Sequence, residues 1–201
     1  MASQSKTEQI LTIARAAGII RPRDLAALGI PRIYLRRLHR QGLLLQPGRG
    51  LYILPDADLT EHHSLAAAAK RAPRAVVCLL SALRFHGLTT QLPSQVWLAL
   101  GPKARAPRSE APRLRIIRMS GRSLTAGVEE HRVDSVAVKI FNPVKTVVDC
   151  FKYRNKIGLD VALEALRDAR RQRRIRMDEL WRYAEICRVT RVMRPYLESL
   201  G

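Results

Sequence analysis

Glycine and proline cut the first 54 residues into pieces too short for any large element. Stops fall at Gly18, Gly29 and Gly42, and Pro47-Gly48-Arg49-Gly50 makes a turn. Ser5 and Glu8 form an S-x-x-E capping box ahead of Ile10, Ile13, Ala14 and Ala17, which share one face of a first helix ended by Gly18. Pro22 suits the first position of a short second helix, with Leu25 and Leu28 facing inward and Gly29 as its stop. A third helix runs from Pro31 to about Gln41. "LLLQ" and "LYIL" then flank the Pro-Gly-Arg-Gly turn as a β-hairpin. Three short helices and a hairpin in this order are the plan of a winged helix-turn-helix.

The rest of the chain alternates between the two periods. Residues 60–71 and 74–86 read as helices, the second apolar almost all round and hence buried. Strands are expected at "QVWLAL", "LRIIRM", "GVEEHRV" and "VAVKIF". Asn142 is a good N-cap with Pro143 at N1, opening a helix that turns Val144, Val147, Val148 and Phe151 inward. Three more helices are expected near 159–172, 178–187 and 190–199, residues 55–60 read as a linker, and 106–113 reads as a mobile loop. The class is therefore mixed α+β: residues 1–55 as a winged helix-turn-helix domain, and 56–201 as an α+β domain with a C-terminal helical region.

Charge says what such a chain can meet. Lys and Arg number 36 against 17 Asp and Glu, a net of +19. An excess of this size repels itself unless something anionic binds it, with nucleic acid ahead of an acidic membrane surface. Residues 1–54 are the most one-sided, with nine bases and two acids. On a helical wheel Leu35 and Leu38, with Pro31 and Gly42, take one side of the third helix. Ile33, Arg36, Arg37 and Arg40 take the other, flanked by Arg32 and His39. Ten residues of helix span roughly 15 Å and fit a major groove about 12 Å wide. Guanidinium forks there pair with guanine O6/N7 or clamp phosphates, and an outward Ile33 suits a thymine methyl. Tyr34, at the edge of the face, is placed to reach a phosphate, and Arg49 at the hairpin tip to act as a wing. A basic helix is also what a solvated surface looks like. Its position within helix-turn-helix-wing order, and a face without acids, favour double-stranded DNA.

The run "LGIPRIYLRRLHRQGLLLQPGRGLYIL" resembles the N-terminal winged helix of the AbiEi family, the antitoxins of type IV (AbiE) toxin–antitoxin systems. "HHSLAAAAKRAPRAVVCLLSALRFHGLT", "VEEHRVDSVAVKIFNPVKTVVDCFKYRNKIGLDVALEALRDA" and "VTRVMRPYLESL" resemble the C-terminal antitoxin domain of that family. The resemblance implies a bacterial, cytoplasmic repressor that binds repeats in its own promoter. It also implies a C-terminal domain opposing a nucleotidyltransferase-type toxin without needing a stable complex, and a monomer that binds DNA cooperatively. By position, Arg32, Arg36, Arg37 and Arg40 match the recognition helix and Arg49 the wing. Pro31 stands where the family often has Ser or Thr. A stand-alone regulator whose second domain senses a ligand or dimerises is the alternative.

Other candidates carry less. No run of 18 apolar residues spans a membrane, and "MASQSKTEQIL" has no secretory h-region, so a cytoplasmic protein is expected. Cys78, Cys150 and Cys187 are scattered and read as reduced core thiols. His62 and His63 are adjacent and point about 100° apart, which makes no joint metal site. Glu129, Glu130, Asp134 and Lys139 are the residues a Mg²⁺-dependent nuclease would use, at loose spacing. There is no P-loop and no G-x-S-x-G motif, so neither an enzyme nor a cofactor is expected. Six arginines in "RDARRQRRIR", 167–176, fit a second anion contact or a solvated helix end equally well. Tyr153 in "FKYRNK" stays open between nucleic-acid contact and packing.

Overall fold

Ser5 Oγ accepts the Glu8 amide at 3.2 Å and Glu8 Oε2 accepts the Ser5 amide at 2.8 Å, closing the capping box that starts α1 (Lys6–Ala17). The computed structural model describes residues 5–57, 59–107, 109 and 111–198. α2 (Pro22–Ala26) and α3 (Ile33–Arg40) follow, then β1 (Leu45–Gly48), β2 (Leu51–Ile53) and α4 (His63–Arg71). Ile10, Ala14, Leu25, Ile30, Leu35, Leu38, Leu44 and Tyr52 make one buried core. Ile20 and Tyr52 exchange both backbone hydrogen bonds, at 2.9 and 3.0 Å, so an isolated antiparallel bridge ties the segment after α1 to β2.

Two expectations for this region are corrected. Leu28 does not face inward: α2 ends at Ala26, Leu28 lies 60% exposed in the turn that follows, and Ile30 takes the inner place. Pro31 and Gly42 are exposed and do not join the α3 seam, which is made by Leu35 and Leu38.

The structure groups residues up to Pro73 with Pro107–Arg113 and Arg132–Val138 as one compact unit. Asp134 and Ser135 both have positive φ, +46° and +62°, as a two-residue hairpin turn between twisted strands requires. Asp134 accepts the Thr60 amide at 3.1 Å and lies 2.8 Å from His63 Nδ1. Asp58, Arg108 and Glu110 lie outside the described residues, and so, in part, do the expected linker and mobile loop.

The second unit carries β3 (Val76–Val77), α5 (Leu79–Phe85), β4 (Val96–Leu100), β5 (Leu114–Arg118) and α6 (Arg122–Thr125). Then come β6 (Val128–Val133) and β7 (Val136–Phe141), whose shared tip groups with the first unit, and α7 (Pro143–Lys152), α8 (Arg154–Ile157), α9 (Leu159–Arg171), α10 (Met177–Cys187) and α11 (Thr190–Glu198). The sheet order is β5-β4-β3-β7-β6; β3 is antiparallel to β4 and parallel to β7, and β4 is parallel to β5. The 74–86 helix is corrected here. Val76 and Val77 are a central strand paired to Ala99 and Leu98, and Leu79, at φ +47°, is the first residue of α5. A strand buried on both faces shows no alternation, so its apolar run looks like a buried helix. Asn142 caps α7 as expected, its side chain accepting the Lys145 amide at 2.8 Å.

Candidate nucleic-acid interface

Residues 1–54 contain only two acids, Glu8 and Asp24, and both are used up as helix caps. Asp24 accepts the Arg21 amide at 2.9 Å and pairs with the Arg21 guanidinium at 2.7 Å, with Lys70 Nζ 3.9 Å away. Burial pushes the Asp24 carboxyl upward, but the Arg21 hydrogen bonds and charge, with Lys70, hold it below the usual carboxylate range. Arg21 also donates to the Lys70 carbonyl, as Arg23 does at 3.2 Å, so these two bases are structural.

The bases of α3 have no such work. Arg32, Arg36, Arg37 and Arg40 are exposed, and among the described residues none lies within ion-pair distance of a carboxylate. Ile33 stands among them 59% exposed, a large apolar side chain on an otherwise cationic face. The buried Leu35 and Leu38 on the far side fix the helix's rotation, so the outer face is set by core packing. Tyr34 is half-buried against the core, with Lys6 Nζ 5.7 Å from its ring centroid; it borders the face without being part of it.

The wing is tied to the helix by three backbone bonds and a histidine. Gly42, at φ +72°, donates to the His39 carbonyl, and Leu43 and Leu44 donate to that of Leu38, a Schellman-type stop. His39 Nδ1 lies 3.0 Å from the Leu44 carbonyl, and its ring meets Tyr52 edge-on at 6.4 Å. Arg49 is exposed, with Gly50 the two-residue tip between β1 and β2. His39 reads in the sequence as a flank of the basic face; its contacts make it the residue that positions the wing. The apolar "GII" after α1 is the one sequence sign of the extra Ile20–Tyr52 strand contact.

Several of the remaining sequence candidates have partners within the chain. His63 and Asp134 are partners at 2.8 Å, and Glu129 lies 3.2 Å from His131 Nε2. Glu129 and Glu130 are both exposed on β6, and among the described residues no three His, Cys, Asp or Glu side chains could hold a metal ion. Within 167–176, Arg171 pairs with Asp168 at 2.9 Å, Arg176 with Asp178 at 3.1 Å, and Arg174 donates to the His86 carbonyl at 3.4 Å. Tyr153 donates to the Arg118 carbonyl at 3.2 Å, and burial pushes its hydroxyl up to about 12. It is a packing residue. Cys78, Cys150 and Cys187 are all buried and free. Among the described residues no helix is long and apolar enough to cross a membrane.

Residues 8–55 match a protein family described as a transcriptional regulator, AbiEi antitoxin. No curated protein matches the chain. Among solved structures, that of the RV2827C protein from Mycobacterium tuberculosis is similar, with a TM-score of 0.57 and 16% identity. The match covers 89% of this chain and 71% of that one, a likeness of fold.

Proposed function

We propose, from the match of residues 8–55 to a family described as a transcriptional regulator, AbiEi antitoxin, that this chain is a type IV antitoxin that also represses its own operon. Residues 1–55 form the DNA-binding domain and 56–201 the antitoxin domain. The first binds double-stranded DNA at promoter repeats, as a monomer that fills successive repeats cooperatively. The second counteracts a nucleotidyltransferase-type toxin in the cytoplasm without a lasting complex.

One observation carries the DNA-binding half: the outward face of α3 presents Arg32, Arg36, Arg37 and Arg40 around Ile33, and among the described residues no acid is within ion-pair distance of them. Phosphate neutralisation supplies affinity there, and bidentate arginine contacts with base edges supply discrimination. Arg49 adds a wing contact in the flanking minor groove or on its phosphates. The antitoxin half rests on the family of the N-terminal segment and on the resemblance of the later blocks.

The test is a mobility-shift titration with the promoter of the chain's own operon. Arg36→Ala and Arg40→Ala should each lose about 1–3 kcal/mol if the missing contact is to a base, or about 5- to 150-fold in affinity. Wild-type binding by both variants would refute the assignment of the face. Co-expression with the product of the adjacent gene tests the other half, since a neighbour that is not toxic leaves a stand-alone regulator.

A further inference from the structure

A second cationic site lies wholly within the second unit and is independent of the α3 face. A cavity of about 590 Å³ is lined by Arg122, Lys152, Arg182 and Arg188, with Ser120, Ser123, Ile186 and a single acid, Glu185. The four bases come from four places in the fold. Arg122 opens α6, Lys152 closes α7, Arg182 lies within α10, and Arg188 caps α10 in the left-handed conformation. They meet only because the tertiary fold brings these ends together.

Among the described residues, Arg122, Lys152 and Arg188 have no carboxylate within ion-pair distance; Arg182 has Glu179 at 3.6 Å. Three uncompensated cations around one hollow repel one another and favour an anion at its centre. The hollow has the size of small-molecule sites, about 300–1,000 Å³, and four bases line it together. Among the described residues no aromatic ring lines it, so recognition falls on charge and hydrogen bonding. Four bases and one acid leave a net of three positive charges, suited to a chain of two or three phosphates. Guanidinium forks are the side chains best shaped to grip phosphate oxygens.

We propose that this cavity of the second unit is a binding site for the polyphosphate group of a small molecule, such as a nucleoside triphosphate.

Calorimetric titration of the full chain with inorganic triphosphate and with ATP tests this. One site per chain is expected, weakened at least tenfold in the Arg122→Gln/Lys152→Gln double variant and unchanged in Arg36→Ala/Arg40→Ala. Glu185→Gln, a change at an exposed side chain, should tighten binding severalfold by removing the one repulsive charge. Its response carries the test even if the double variant fails to fold. Equal affinity for the two ligands assigns recognition to the phosphates, and tighter ATP binding adds a nucleoside contribution; both support the site. Three results would overturn it: no binding, binding indifferent to all the cavity substitutions, or displacement of triphosphate by duplex DNA in the Arg36→Ala/Arg40→Ala background.

Discussion

Lys145 and Asp149 are fully buried one helical turn apart on α7, Nζ to Oδ2 at 2.5 Å. Burial raises the Asp149 carboxyl, while Lys145 and a hydrogen bond from Cys187 Sγ, at 3.4 Å, work against that rise. Lys145 Nζ also sits 4.1 Å from the Phe141 ring centroid. Removing one partner strands the other without water, so Lys145→Met alone should cost about 3–5 kcal/mol in urea unfolding. Lys145→Met with Asp149→Leu should recover most of that loss. His86 is a second buried titratable group, its Nε2 2.8 Å from the Phe141 carbonyl. Burial, aided by Arg174 and His131, holds its pKa below the ordinary 6.5 against the pull of the Phe141 bond. The unfolded chain therefore takes up this proton first as the pH drops. The stability His86 contributes is present above pH 6.5 and is lost as the pH falls towards the folded-state value. Unfolding midpoints at pH 7.5 and 5.5 should diverge more for wild type than for His86→Gln.

At the scale of elements, two glycines that end helices differ in what surrounds them. Gly18 ends α1 at φ +65°, and a Cβ there would stand 2.0 Å from the Asp134 carbonyl oxygen. Gly42 ends α3 at φ +72° with nothing within 4 Å of a Cβ. Gly42→Ala should therefore cost only the conformational penalty, about 1 kcal/mol. Gly18→Ala must also displace the hairpin tip and should lose clearly more, measured by thermal unfolding with DNA absent. The same comparison shows what a sequence carries. Both glycines read as helix stops, because a stop is a local backbone event. That one of them abuts residue 134 is a contact across more than a hundred positions, which no local pattern records. The 74–86 segment failed in the same way: its apolar run announced burial, and only pairing with Ala99, Leu98 and Ile140 made Val76 and Val77 a strand.

For the whole molecule the charge of +19 sets how binding responds to salt. If the α3 face and wing act alone, at most five arginines (Arg32, Arg36, Arg37, Arg40 and Arg49) neutralise phosphates. Each phosphate contributes about 0.9 to the slope of log K against log salt, so one bound chain should give a slope no steeper than about −4.5. Arg49→Ala should flatten it by about 0.9 if that contact is to a phosphate. Filter binding from 50 to 300 mM salt measures both, and a steeper wild-type slope would mean that bases beyond these five reach the DNA.

Much of the proposed DNA interface was legible in the amino-acid order alone. Caps at Ser5 and Asn142, stops at Gly18 and Gly42, and the split of α3 into a leucine side and an arginine side all depend on neighbours within four residues. Such features are written in backbone chemistry and helical period. The buried Lys145–Asp149 pair was not legible, because Lys145, Asp149 and Lys152 share one side of α7 and read as a solvated face, which only packing against α5, α9 and α10 encloses. Nor was the cavity of Arg122, Lys152, Arg182 and Arg188, whose members span 67 positions and read singly as ordinary surface charge. Local order determines where elements begin, end and turn their apolar side; only the packed chain decides which distant charges share a space, because long-range proximity leaves no periodic trace.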